Sequence, residues 1–104
     1  GDFKFGLTES AIGLALPIFG TELARARICP EELTASVIQS KIYDPEGAVA
    51  AGFLDKLVLK EELLNSAENL AEKLSTIPNG AYAANKYGVR KTTLELIRVS
   101  LSGN

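Results

Sequence analysis

The sequence predicts a mostly α-helical fold with two short strands. Its clearest runs of apolar residues at helical spacing lie in the C-terminal half, at residues 60–75 and 81–101. Strand signals are confined to residues 3–8, which alternate, and to residues 53–59, where Leu57, Val58 and Leu59 are the best strand residues. Two isolated strands cannot form an independently stable sheet, so we expect this chain to be one part of a larger fold.

The composition is that of one small globular domain. In 104 residues, 46% are hydrophobic and 23% are charged, a balance that argues against intrinsic disorder. The net charge is −2 and no basic run occurs, so neither nucleic acid nor an anionic membrane is an expected partner. The longest apolar stretch, at residues 11–19, is too short to span a bilayer.

The cysteine and histidine counts narrow the possible chemistry. Cys29 is the single cysteine, so no internal disulfide can form, and no signal peptide is evident at the N-terminus. These two features favour a cytoplasmic protein. The chain contains no histidine, which excludes Ser-His-Asp and Cys-His sites built from this chain alone. We therefore expect no metal site, because histidine is the commonest zinc ligand.

The first elements are a strand, a turn and a helix. Phe3, Phe5 and Leu7 alternate with less apolar residues, which predicts a strand with no sequence-adjacent partner. We expect this strand to join a sheet formed elsewhere. An apolar turn over residues 10–16 comes next, and residues 21–27 are predicted to be helical.

Pro30 suits the first turn of the next helix, whose apolar residues Leu33, Val37 and Ile38 are predicted to share one face. Asp44 is then an N-cap candidate for a short helix.

Pro45 suits the first position of that short helix, and Gly52 is its natural stop. The second strand is predicted directly after this glycine, at Phe53 to Leu59.

The two C-terminal helices are the most strongly patterned. The helix at Lys60 to Ser75 has one apolar face, made by Leu63, Leu64, Ala67, Leu70, Ala71 and Leu74. After a break at Pro78, the last helix is predicted over about Ala81 to Leu101. Its apolar side chains occupy one stripe (Tyr87, Leu94, Ile97 and Leu101) and also lie off it (Val89, Leu96 and Val99). We expect two neighbours for such a helix, one of which can be another subunit.

Glu9 is the leading catalytic candidate. Without histidine, the available acid–base groups are carboxylates, lysines and tyrosines. Glu9 ends the first predicted strand amid apolar residues, and burial would favour its protonated form enough for it both to donate and to accept a proton. The alternative is that Glu9 is a solvated carboxylate at a loop end, or that it caps a backbone N–H group.

The other candidates have simpler explanations. The acidic pairs at residues 31–32 and 61–62 fall in first helical turns, where the helix dipole favours them. Cys29 precedes a proline and has no histidine base, so an inert thiol is expected. Lys86 and Arg90, with Lys91, form a basic group on the last helix, which could bind a cofactor phosphate or could simply be a solvated face.

The ordered series of segments resembles the C-terminal portion of the crotonase superfamily, the enoyl-CoA hydratases and isomerases. Residues 5–9, Phe-Gly-Leu-Thr-Glu, are similar to the family's Phe-Gly-Leu-Pro-Glu segment, and residues 43–58 are similar to its Ala-Glu-Glu-Ala…Gly-Leu-Val passage. The helix at Leu63–Leu74, the break at Pro78 and the lysine at Lys86 match the family's next three features in order. Thr8 stands where proline is usual, which resembles isomerases more than typical hydratases.

The resemblance implies the C-terminal helical part of a crotonase-like (ββα spiral) α/β fold. It implies that residues 1–16 are the end of the core, with the catalytic glutamate segment, and that residues 17–104 form a helical trimerisation region. The family's N-terminal half, which supplies the core sheet, most of the coenzyme A site and the oxyanion-hole N–H groups, has no counterpart in these 104 residues.

The resemblance also implies a reaction. Glu9 would transfer a proton to or from an acyl-CoA thioester whose carbonyl oxygen is bound in an oxyanion hole. The enzyme would act in fatty acid metabolism and would be a homo-oligomer such as a trimer. Coenzyme A would arrive as part of the substrate, and no covalently bound cofactor is expected. The 104-residue chain alone is expected to be inactive. The alternative function is a non-catalytic helical oligomerisation or interaction module.

Overall fold

A computed structural model describes residues 1–102, which fold mainly into helices. Two compact units are present: residues 1–57 with those from Thr92 onward, and residues 58–91. Within this part of the chain, no helix is both long enough and apolar enough to cross a membrane. The strands and α-helices are β1 (Phe5–Gly6), α1 (Ile18–Arg27), β2 (Ile42–Tyr43), α2 (Pro45–Ala51), α3 (Leu63–Ser75) and α4 (Asn79–Ser102).

The first strand has its partner within the chain. β1 pairs with β2 in an antiparallel register that sets Phe5 opposite Tyr43 and Gly6 opposite Ile42. A Cβ atom on Gly6 would lie 2.8 Å from Cδ1 of Ile42 and 3.1 Å from the Lys41 carbonyl oxygen, so glycine allows the close approach. The expectation that the sheet lies elsewhere is therefore wrong for this strand. β2 has only two residues, too few to show an alternating pattern in the sequence.

The second predicted strand, Phe53 to Leu59, is also wrong, because this segment is irregular. The backbone N–H of Leu54 donates to the carbonyl oxygen of Ala48 in α2 at 3.2 Å and is unavailable for a sheet. Phe53 and Leu54 both pack against the core although they are consecutive, whereas consecutive strand residues point to opposite faces. Only the start of the apolar run therefore packs against the core, whereas Leu57 and Leu59 are exposed.

The sequence signals for the start and the end of α2 are confirmed. Oδ1 of Asp44 accepts a hydrogen bond from the N–H of Gly47 at 2.7 Å, which is an N-cap. Gly52 ends the helix with φ 105°, a left-handed conformation. A Cβ atom at Gly52 would lie 2.6 Å from the carbonyl oxygen of Arg27, so both conformation and space require glycine.

The segment after Pro30 is helical but is not an α-helix. A 3₁₀ turn over Pro30–Glu32 leads into a π-helical turn over Thr34–Ile38. The predicted apolar face is only partly correct, because Ile38 is 64% exposed whereas Ser36 is fully buried. The wider π turn shifts the residues that face inward relative to an α-helix.

A small core holds the first unit together. Tyr43, Ala48 and Ala51 are buried, and Phe5, Phe53 and Leu54 pack against them. The rings of Tyr43 and Phe53 lie 5.4 Å apart between centroids, at an interplanar angle of 47°. This core joins the sheet to α2, and it fixes the segment that carries Glu9.

The two predicted C-terminal helices are confirmed in position. A 3₁₀ turn at Lys60–Glu62 precedes α3, and α4 extends the predicted last helix by a few residues. The large apolar side chains of α3 and α4 are exposed, including Leu63, Leu64, Leu70, Leu74, Tyr87, Val89, Leu94, Leu96 and Leu101. The functional division into residues 1–16 and 17–104 stays a prediction, and residues 103 and 104 lie outside the described part.

Candidate functional site

Glu9 begins a tight turn, residues 9–14, which we call the Glu9 turn. The Glu9 carbonyl oxygen accepts hydrogen bonds from the N–H groups of Ile12 at 3.1 Å and Leu14 at 2.8 Å. Gly13 adopts φ 78°, and its N–H donates to the Ser10 carbonyl oxygen at 3.2 Å. The paired bonds from Gly13 and Leu14 have the connectivity of a Schellman motif, which explains the glycine.

Two further hydrogen bonds connect the Glu9 turn to the segment that leads into β2. The Ser10 hydroxyl donates to the Val37 carbonyl oxygen at 3.3 Å. The Ala11 N–H donates to Oγ of Ser40 at 2.9 Å. Together with the β1–β2 pairing, these bonds hold the first half of the turn in place.

One oxygen of the half-buried Glu9 side chain lacks a hydrogen-bond partner. Oε1 of Glu9 is buried and has no hydrogen bond to the described residues. The side chain makes no cap hydrogen bond to the 3₁₀ turn at Ser10–Ile12, although Glu9 occupies the N-cap position. The N-cap alternative from the sequence is therefore not observed, and Oε1 is shielded from solvent. A buried acceptor without a donor costs free energy, so a ligand that brings a proton to this oxygen would be favoured.

A second polar cluster lies beside the sheet. The Tyr43 hydroxyl donates to Oε1 of Glu32 at 2.7 Å. Because the Tyr43 hydroxyl has only one proton and donates it to Glu32, the Ser36 hydroxyl is the donor in its 2.6 Å bond with the Tyr43 oxygen. Nζ of Lys41 lies 3.4 Å from Oε1 of Glu32 and 4.9 Å from the centre of the Tyr43 ring. This cluster ties the 3₁₀ turn, the π turn and β2 together.

The cluster shifts two pKa values in opposite directions. The hydrogen bond from Tyr43 lowers the pKa of Glu32, and the positive charge of Lys41 adds to this effect. Burial raises the pKa of the Tyr43 hydroxyl, and the adjacent Glu32 carboxylate also raises it. Both shifts favour the protonation states that make the hydrogen bond, a carboxylate and a neutral phenol.

An open groove of about 640 Å³ runs along this cluster. Its lining includes Lys4, Glu32, Lys41, Tyr43, Asp44 and Ala51. Glu9 is not part of the lining, so the groove and the Glu9 carboxyl group are separate features of the first unit.

The remaining candidates are not assembled around a site. Lys86 and Arg90 are exposed on α4 in the second unit, and their role in binding a cofactor stays a prediction. Cys29 is half-buried and its thiol donates weakly to the Ala50 carbonyl oxygen at 3.5 Å. Among residues 1–102, no three histidine, cysteine, aspartate or glutamate side chains cluster closely enough to hold a metal ion.

Searches against protein-family models and against curated proteins found no match. Solved structures do match. An enoyl-CoA hydratase/isomerase family protein from Pseudomonas syringae is 42% identical, with a TM-score of 0.90 over 96% of this chain and 44% of its own. The chain matches the C-terminal part of crotonase-superfamily proteins.

Other crotonase-superfamily structures match with similar TM-scores at lower identity. An enoyl-CoA hydratase from Mycobacterium marinum is 30% identical, with a TM-score of 0.89 over 97% of this chain and 45% of its own. A protein from Mycobacterium tuberculosis, called an enoyl-CoA isomerase in one structure and a probable enoyl-CoA hydratase in another, is 29% identical. Its TM-scores are 0.90 and 0.89 over 97% of this chain and 45% and 43% of its own. The chain thus spans less than half the length of these relatives and corresponds to their C-terminal part. The predicted fold class is confirmed.

Proposed function

We propose that this chain contributes the proton-transferring glutamate, Glu9, to an enoyl-CoA hydratase or isomerase that acts on acyl-CoA thioesters. The observation that carries the proposal is the buried Oε1 of Glu9, which is free of hydrogen bonds to residues 1–102 in a turn whose first half is held by Val37 and Ser40. The similarity to a hydratase and to an isomerase supports the reaction class.

The chemistry needs one carboxyl group that changes its protonation state. N–H groups that donate to the thioester carbonyl stabilise an enolate, whose negative charge lies on the carbonyl oxygen. In isomerisation of a 3-enoyl thioester, a carboxylate takes a proton from C2 and leaves the electron pair on the enolate, and the resulting acid returns the proton at C4. In hydration of a 2-enoyl thioester, the water oxygen adds at C3 as a base takes a water proton, and a carboxylic acid delivers a proton to C2 of the enolate. Glu9 requires no histidine for this role, which agrees with the histidine-free sequence.

The rest of the site is proposed to lie outside these 104 residues. The chain spans 44% to 45% of its crotonase-superfamily relatives, so it would supply only part of such a site. Each N–H donor of an oxyanion hole is worth about 10²–10³ in rate, and we expect the 104-residue chain alone to be inactive. Coenzyme A would enter as part of the substrate, and Lys86 and Arg90 are proposed to meet its phosphates.

Self-association is the proposed assembly. The apolar side chains of α3 and α4 are exposed, and burial of each large one is worth about 1.5–3 kcal/mol. A trimer, as the resemblance implies, would cover part of this surface. We also propose a cytoplasmic location and a role in fatty acid metabolism, in keeping with the single unpaired cysteine, Cys29, and with an acyl-CoA substrate.

The same exposed surface favours the second candidate function, a non-catalytic helical oligomerisation module. The two functions differ in what Glu9 does. A module needs the apolar faces of α3 and α4 and is indifferent to the carboxyl group of Glu9, whereas the enzyme depends on that group.

The test is the substitution Glu9→Gln in the native protein, by which we mean the polypeptide as its source produces it. Turnover is measured with 2-enoyl-CoA for hydration and with 3-enoyl-CoA for isomerisation. Glutamine keeps the shape of the side chain but transfers no proton, so we expect turnover to fall by at least about 100-fold. Glu61→Gln, in the exposed 3₁₀ turn before α3, is the matched control and should have no effect. Wild-type turnover by Glu9→Gln would leave the module as the better account.

A further inference from the structure

The Glu9 turn has an unusual source for its cap. The first N–H groups of a helical turn have no partner within the turn, and the side chain at the N-cap position commonly supplies one. Here Glu9 occupies that position and makes no such bond. The Ala11 N–H instead donates to the hydroxyl oxygen of Ser40, 29 positions along the chain. A distant segment thus supplies the capping acceptor, and the Glu9 carboxyl group takes no part in the cap.

Ser40 adopts a backbone conformation that costs free energy. Its φ is 57°, and it is the one residue other than glycine in the described chain with a positive φ. The left-handed conformation is unfavourable for a residue with a Cβ atom.

The segment around Ser40 fixes this conformation. The Gln39 N–H donates to the Thr34 carbonyl oxygen at 3.0 Å, which closes the π turn. The Lys41 N–H then donates to the Ala35 carbonyl oxygen at 2.9 Å, on the other side of Ser40. Strain that the surroundings hold in place is a feature of functional sites. The π turn also presents the Val37 carbonyl oxygen that accepts from Ser10.

We propose that Ser40 is a positioning residue for catalysis: its hydroxyl group caps the Glu9 turn from outside and thereby keeps the Glu9 carboxyl group free for proton transfer. This inference rests on the proposed function of Glu9. It assigns a role to the left-handed Ser40, which the core packing of the first unit does not explain.

Two substitutions at Ser40 separate the hydroxyl group from the backbone conformation. Ser40→Gly removes the hydroxyl, while glycine adopts a positive φ without the cost of a Cβ atom. Ser40→Asn keeps a side-chain oxygen acceptor on a residue that tolerates the left-handed region, and serves as the rescue variant.

In the native protein, Ser40→Gly should lower kcat between about twofold and tenfold, the worth of one hydrogen bond, with KM unchanged. The amide hydrogen exchange of Ala11 should accelerate, while that of Gly47, capped by Asp44, should not change. Ser40→Asn should recover part of kcat and of the Ala11 protection. This combination distinguishes positioning from a general loss of stability.

The possible failures are distinguishable. If Glu9→Gln abolishes turnover but Ser40→Gly leaves kcat and Ala11 exchange unchanged, the inference about Ser40 is overturned and the proposed role of Glu9 stands. If Glu9→Gln retains turnover, the proposed function fails and the role of Ser40 fails with it. An equal acceleration of exchange at Ala11 and Gly47 would mean general destabilisation and would also overturn the inference.

Discussion

The Tyr43 hydroxyl donates a hydrogen bond to the Glu32 carboxylate at 2.7 Å. The same oxygen accepts a hydrogen bond of 2.6 Å from Ser36, which is fully buried. Tyr43 thus connects the 3₁₀ turn after Cys29 to the π turn. The π turn contains Val37, whose carbonyl oxygen accepts a hydrogen bond from Ser10, and it precedes Ser40, which accepts one from Ala11.

Tyr43→Phe is expected to destabilise the chain more than Ser36→Ala does. The tyrosine substitution removes both bonds and leaves the buried Ser36 hydroxyl without its partner, at a cost of about 1–3 kcal/mol. The serine substitution leaves the Tyr43 hydroxyl bonded to Glu32 and should cost about 0.5–1.5 kcal/mol. Urea unfolding of both variants measures the difference. A larger loss for Ser36→Ala would contradict this assignment of donors.

Glu32 makes the free energy of unfolding depend on pH in the acidic range. Its folded pKa lies below its ordinary value of 4.5, because Tyr43 and Lys41 favour the carboxylate. The resulting stability is fully present above that ordinary value and is lost as the pH falls through the lowered folded pKa. Urea unfolding between about pH 3 and pH 7 should show this loss. In Glu32→Gln, whose amide oxygen still accepts a hydrogen bond from Tyr43, the free energy of unfolding should change less at acidic pH. An unchanged dependence on pH would contradict the assigned roles of Lys41 and Tyr43.

Gly52→Ala is expected to destabilise the first unit. Its φ of 105° is unfavourable for alanine, and the new Cβ atom would lie 2.6 Å from the Arg27 carbonyl oxygen. We expect a loss of about 1–3 kcal/mol in the free energy of unfolding. Gly88→Ala is the matched control, since Gly88 lies within α4 with no atom within 4 Å of a new Cβ, and it should gain about 0.5–1 kcal/mol. Equal effects of the two substitutions would show that the close contact at Gly52 is unimportant.

Local signals predicted much of this fold. Asp44 and Gly52 mark the start and the end of α2, because an N-cap and a left-handed C-cap glycine act within one or two turns of the chain. The long helices α3 and α4 follow from apolar spacing alone. Pairs that are far apart in sequence were not predictable in this way. The partner of Phe5 is Tyr43, and nothing near either residue shows the pairing.

The same limit applies to the candidate site. Glu9 could be singled out from its position after a strand, but nothing in the sequence shows that its Oε1 is buried without a hydrogen bond. Ser10, Ser36 and Ser40 carry no distinctive sequence signal, since serine is common in turns. Their roles emerge only because the π turn and the residues after it approach the Glu9 turn and Tyr43.

Self-association is expected through the apolar surface of α4. Leu94 is 44% exposed on this helix, and Leu94→Asp should shift sedimentation equilibrium toward the monomer of 11.1 kDa. Thr92→Asp makes the same change in charge at an exposed polar position of α4 and should leave the association unchanged. A monomeric wild-type chain at high micromolar concentration would remove the basis for the oligomer, and for the interaction module as well.

The role of Glu9 is tested most directly by following the proton itself. The native protein is mixed with an enoyl-CoA substrate in deuterium oxide, and the rate of deuterium incorporation at C2 and C4 is recorded by mass spectrometry. The account predicts that Glu61→Gln incorporates deuterium at the wild-type rate and that Glu9→Gln is slower by at least about 100-fold. Incorporation at the wild-type rate by Glu9→Gln would contradict it.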